Sequence, residues 1–104
     1  MRCLIEVTLP AEAGNSAILD GSLMRKIQAN LQNLKPEASY FFPKNGQRSM
    51  ITICNVASED QIVSFLEPFW LDFKATVNIY PVMVPADLEK AQPAFQKLVQ
   101  SRSH

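Results

Sequence analysis

Few side chains in this sequence could do chemistry, and Glu6 stands first among them. It interrupts an apolar run from Cys3 to Leu9, so a fold that covers it must either pair the carboxylate or raise its pKa. Arg48 is the candidate partner for an ion pair, and Tyr80 for a hydrogen bond. Asn78, Tyr80 and Thr52 offer further hydrogen-bonding groups, and Phe41 an aromatic wall. Glu6, Phe41, Arg48, Thr52, Asn78 and Tyr80 are therefore the candidate ligand-binding set, with Glu6 the best candidate for a catalytic base. Structural roles compete with each, because ion-pair networks also perturb carboxylates and Thr and Tyr are ordinary strand residues.

The remaining reactive types carry weaker signals. Cys3 and Cys54 have no C-x-x-C spacing and the one histidine is the terminal His104, so neither a zinc site, nor a disulfide scaffold, nor a cofactor is indicated. Phe65, Phe69, Trp70 and Phe73 cluster about Pro68; they could wall an apolar pocket, though core packing is the favoured explanation. Glu12 and Asn15 follow the first strand. A helix start there could receive an anion, but Glu12 would repel one and Asn15 is explained as an N-cap.

These residues need elements to position them. Arg2 to Leu9 alternates with the period of a strand. Leu23, Ile27, Leu31 and Leu34 recur at helical spacing, which predicts a helix from Asn15 to Leu34, or one starting at Ser22 after the break at Asp20-Gly21. Lys35-Pro36 stops it. Glu37 to Phe42 and Arg48 to Val56 then read as a hairpin about Asn45-Gly46, with Lys44 facing Gln47, Phe41 facing Met50 and Tyr40 facing Ile51. Ser58 and Gln61 form a capping box for a helix that Pro68 should break or kink near Leu66. Lys74 to Val82 is a last strand, and Pro85 to Ser101 a final helix interrupted at Pro93.

The order βαββαβ plus one helix predicts a single α+β domain over residues 1–104: a ferredoxin-like four-stranded antiparallel sheet with helices on one face. Uniform apolarity assigns Cys3, Ile5, Val7, Leu9, Ile51, Ile53, Val77 and Ile79 to the helix-covered side. Leu4, Glu6, Thr8, Phe41, Arg48, Met50, Thr52, Cys54, Asn78 and Tyr80 then fall on the open side. Cys3 and Cys54 are expected on opposite faces and unbridged. An open face that apolar predicts a homodimer stacked sheet to sheet, with a cavity between the sheets.

Composition excludes several partners. Apolar residues are 47% and charged residues 19%, with ten bases against ten acids scattered along the chain. Such a chain folds, and it has no basic stripe for nucleic acid. An RNA-recognition surface would need stacking aromatics where the open positions read Leu4-x-Glu6-x-Thr8, and an acylphosphatase-like site would need an arginine between Pro10 and Leu23. No run is long enough to cross a membrane, and Leu4-Ile5-Glu6-Val7 does not read as a signal peptide, so a cytoplasmic protein is expected.

Glu12-Ala13-Gly14-Asn15, Asp20-Gly21-Ser22, Lys35-Pro36-Glu37-Ala38-x-Tyr40-Phe41, Glu67-Pro68-Phe69 and Pro81-Val82-Met83 together resemble a family of small bacterial proteins of the dimeric α/β-barrel superfamily. The resemblance spans nearly the whole chain and implies the fold and a dimer, while assigning no catalytic residue. The wider superfamily includes cofactor-free monooxygenases, muconolactone isomerase-like enzymes and stress-response binding modules. Three functions are thus expected to compete. The first is a small-molecule-binding dimer, the second a cofactor-independent isomerase or monooxygenase using Glu6 with Tyr80 or Asn78, and the third a structural or regulatory subunit that binds another protein.

Overall fold

The computed structural model describes residues 1–103, so His104 lies outside the described residues. Strand β1 (Arg2–Thr8) leads into α1 (Ala11–Leu19) and α2 (Leu23–Leu34), and β2 (Ala38–Lys44) and β3 (Gln47–Asn55) form a hairpin. Helix α3 (Asp60–Phe73), β4 (Thr76–Pro81), α4 (Pro85–Lys90) and α5 (Gln92–Arg102) follow. The sheet order is β2-β3-β1-β4 and every neighbour is antiparallel, the ferredoxin-like arrangement. Asn45 and Gly46, with φ of 52° and 77°, make the two-residue turn, and Lys44 opposes Gln47 as the hairpin signal requires.

Several local expectations are corrected. Of the two helix starts expected, the one at Ser22 holds, since Ser22 is the N-cap of α2 and Gly21, at φ 78°, turns the chain before it; the addition is a separate α1 that starts directly after Pro10. Asn15 therefore sits inside α1 and caps nothing. The Ser58 box does not form, because the Gln61 side chain accepts instead from the backbone N–H of Ala57 at 2.7 Å. Pro68 does not end α3, which runs on to Phe73. Proline removes the bond to the carbonyl four residues back, Ser64, and that oxygen accepts from Asn33 Nδ2 on α2 at 2.9 Å, so the helix loses a bond without leaving an orphan. The last helical stretch breaks at Ala91 rather than at Pro93, which fits in the first turn of α5.

The main correction concerns the hairpin's faces. Cys3 opposes Cys54, Ile5 opposes Thr52 and Val7 opposes Met50, and directly opposed residues share a face. Met50, Thr52 and Cys54 therefore face the helices with Cys3, Ile5 and Val7, and all six are buried. Phe41 and Arg48 lie on that side too, Phe41 opposite Met50 and Arg48 opposite Pro43. Ile51 and Ile53 turn to the open side beside Glu6 and Leu4, only partly covered. The two cysteines are free and share a face, so opposed faces are not what keeps them apart. Met1 and Val56 exchange both backbone hydrogen bonds, at 2.9 and 2.8 Å, which makes Cys3 and Cys54, two residues along, a hydrogen-bonded pair. Opposed Cα atoms in such pairs stand about 5.5 Å apart, with Cβ atoms wider than a relaxed disulfide needs.

Phe65, Leu66, Phe69 and Phe73 from α3, with Ala17 and Leu34, close the core over this face. Helices α4 and α5 bury none of their residues and extend the molecule to 64 Å against 28 and 19 Å in the other directions.

Candidate functional site

The core is not closed at the hairpin end. A cavity of about 770 Å³ opens there, between the turn at Gly46, the C-terminal end of β1 and helices α1, α2 and α3. Val7, Leu9 and Met50 form its sheet wall, Leu23, Met24 and Ile27 its α2 wall, and Phe69 and Phe73 its floor. Helical spacing puts Leu23 and Ile27 on one face, and the αL cap at Lys74 ends α3 directly after Phe73. Phe41, more than half exposed, stands at the rim. The aromatic cluster about Pro68 thus divides: Phe69 and Phe73 are both core and cavity floor, while Trp70 points outward, 40% exposed.

The polar side chains at the cavity are Asn15, Gln47, Arg48 and the hydroxyl of Ser49. Arg48 reaches across from β3 to α1, where its Nη2 donates to Asn15 Oδ1 at 3.0 Å. It lies so close over α1 that a Cβ at Gly14 would stand 2.7 Å from Nη1 and 3.3 Å from Cδ. Gly14 is therefore glycine for a contact, not for a turn. Among the described residues the ion pairs are Arg2 with Glu37 at 2.8 Å and Lys44 with Glu6 at 3.0 Å, and neither involves Arg48.

The predicted site residues are split between the two faces. Phe41 and Arg48 meet at the cavity. Thr52 shares their side but is fully buried, its Oγ1 at 2.8 Å from Ser39 Oγ and donating to the carbonyl of Ala38 at 3.3 Å, so it ties β2 to β3. Glu6, Asn78 and Tyr80 lie on the open face, Asn78 opposite Glu6 and Tyr80 opposite Leu4. The cation that pairs with Glu6 is Lys44, not Arg48, because the hairpin register sends Arg48 to the other side. Burial pushes the Cys54 thiol above its ordinary range, with Cys3 and Glu37 adding to the effect, so neither pairing nor nucleophilic chemistry is favoured there. Asn15, weighed with Glu12 as a possible anion site and set aside as an N-cap, does line the cavity, whereas Gly14 carried no signal because the predicted helix began after it.

No protein-family model matches the chain, and comparison with curated proteins gives no match. Among solved structures the fold is similar to that of 5-chloro-2-hydroxyhydroquinone dehydrochlorinase from Burkholderia phenoliruptrix AC1100, determined in complex with 2,5-dihydroxybenzoquinone. The TM-score is 0.62 at 18% identity, over 84% of this chain and 98% of that one. The likeness is one of fold, and the chain has the α+β ferredoxin-like architecture that its element order implied.

Proposed function

We propose that this protein binds a compact, largely apolar small molecule in the cavity between the sheet and helices α1 to α3, as a homodimer paired through the open sheet face. The observation that carries the reading is the cavity itself, whose volume falls in the range of ligand sites and whose apolar walls are broken by a few convergent polar groups. The structurally similar dehydrochlorinase holds a single-ring ligand, which supports a molecule of that size on this fold. Binding is favoured over acid–base catalysis because none of the described residues lining the cavity is Asp, Glu, His, Cys, Lys or Tyr. Glu6 stands on the opposite face, held by Lys44, where a structural role fits better than that of a base. Pairing through the open face would cover Leu4, Ile51 and Ile53 together with Tyr40 and Tyr80, which are 61% and 49% exposed in the single chain.

The four methionines supply the test. Met24 and Met50 line the cavity, whereas Met1 and Met83 lie away from it. With methyl-13C methionine, titration with naphthalene-sized compounds is expected to shift the Met24 and Met50 methyl signals and leave those of Met1 and Met83 in place. Shifts confined to Met1 and Met83, or none at all, would sink the cavity reading.

A further inference from the structure

We infer that Arg48, held by Asn15 over Gly14, is an anion subsite, and that the ligand is an apolar monoanion such as an aryl carboxylate. The inference rests on the cavity being the binding site. Arg48 is a permanent cation with five donors in a planar fork, and only one of its contacts is to a side-chain acceptor, the amide oxygen of Asn15. That bond uses Nη2, while Nη1 and the side-chain stem lie against the backbone at Gly14. The guanidinium, exposed like Asn15, stands at the lip of a cavity whose polar groups besides these two are Gln47 and Ser49 and whose walls are otherwise apolar, among them Val7, Leu9, Ile27, Met50, Phe69 and Phe73. An arginine with no carboxylate partner among the described residues, held by Asn15 beside a largely apolar cavity, matches a ligand with one anionic end and an apolar body. A dianion or a sugar would bring polar groups against walls that cannot satisfy them.

Gly14 makes the arrangement testable from the other side. A methyl there meets the mobile end of Arg48 rather than fixed backbone, so Gly14→Ala should leave the helix intact and displace the guanidinium.

The experiment compares 2-naphthoate with 2-naphthalenemethanol, a neutral compound of nearly the same shape, reading binding from the Met24 and Met50 methyl signals. The acid is expected to bind at least tenfold more tightly than the alcohol. Arg48→Gln should bring the acid to the affinity of the alcohol and change the alcohol less than twofold, Arg48→Lys should restore part of the difference, and Gly14→Ala should weaken the acid selectively. Equal binding of acid and alcohol, or an equal loss of both in Arg48→Gln, overturns the subsite and leaves the cavity standing. Failure of both compounds to move the Met24 and Met50 signals overturns both. Circular dichroism of each variant separates loss of binding from loss of fold.

Discussion

On the helix-covered face of the sheet Cys3, Ile5, Val7, Thr52 and Cys54 are closed off from solvent, while one residue along each strand Leu4, Glu6, Ile51 and Ile53 are only partly covered. On β3 hydropathy runs against burial: the outward pair are isoleucines and the inward pair a threonine and a cysteine. What separates them is what lies above. The inward thiols belong to the core cluster that α3 closes, and the Thr52 hydroxyl is satisfied by Ser39 and Ala38. The outward isoleucines have only their strand neighbours beside them, Ile51 between Glu6 and Tyr40 and Ile53 between Leu4 and Ala38, with no helix above. Burial on this sheet is decided by pairing register, and apolarity follows it on β1 but not on β3.

The largest effect should come from the covered side. Phe69→Ala removes a side chain that is 1% exposed and should cost about 3–5 kcal/mol in chemical denaturation, whereas Ile53→Ala in the same assay should cost about 1 kcal/mol or less per chain. Equal losses would mean that the open face is covered as firmly as the core. Next, Ile51→Asp should abolish the proposed dimer and keep the fold, halving the mass in light scattering with an unchanged far-ultraviolet spectrum. A wild-type protein already of monomer mass would remove the sheet-to-sheet pairing.

The smallest effect is read from the thiols. Both cysteines should resist a thiol reagent in the native protein and react once it is unfolded. The pH dependence follows from the raised Cys54 pKa: the unfolded chain loses this proton first, so the contribution is neutral below about pH 8.5, the ordinary thiol value, and native stability falls as pH rises above it. Stability that rises through that window would contradict a desolvated thiol.

Much of the fold was legible from short-range chemistry. The β1 alternation, the Asn45-Gly46 turn and the stop at Lys35-Pro36 each have a local cause, and their order led to the observed sheet. The face of β3 was not legible, because both of its alternating sets, Met50-Thr52-Cys54 and Ile51-Ile53, are apolar enough to be core. Parity then follows β-branched character, which misplaced Phe41, Arg48, Met50, Thr52 and Cys54 as a block. Phe41 and Arg48, expected on the open face, both lie at the cavity on the other side of the sheet. Pro68 misled for a different reason, since its compensation comes from Asn33, a residue of another helix that no local rule includes.

Gly14 carries one more consequence. Glycine inside a helix is less stable than alanine by roughly 0.5–1 kcal/mol, so Gly14→Ala gains stability to the extent that the Arg48 side chain can swing clear of the new methyl. The same change would push aside the guanidinium that distinguishes acid from alcohol. Selection for robustness and selection for ligand preference therefore pull this single position in opposite directions, and a glycine kept there through laboratory evolution under ligand pressure, but lost under heat alone, would record which of the two had prevailed.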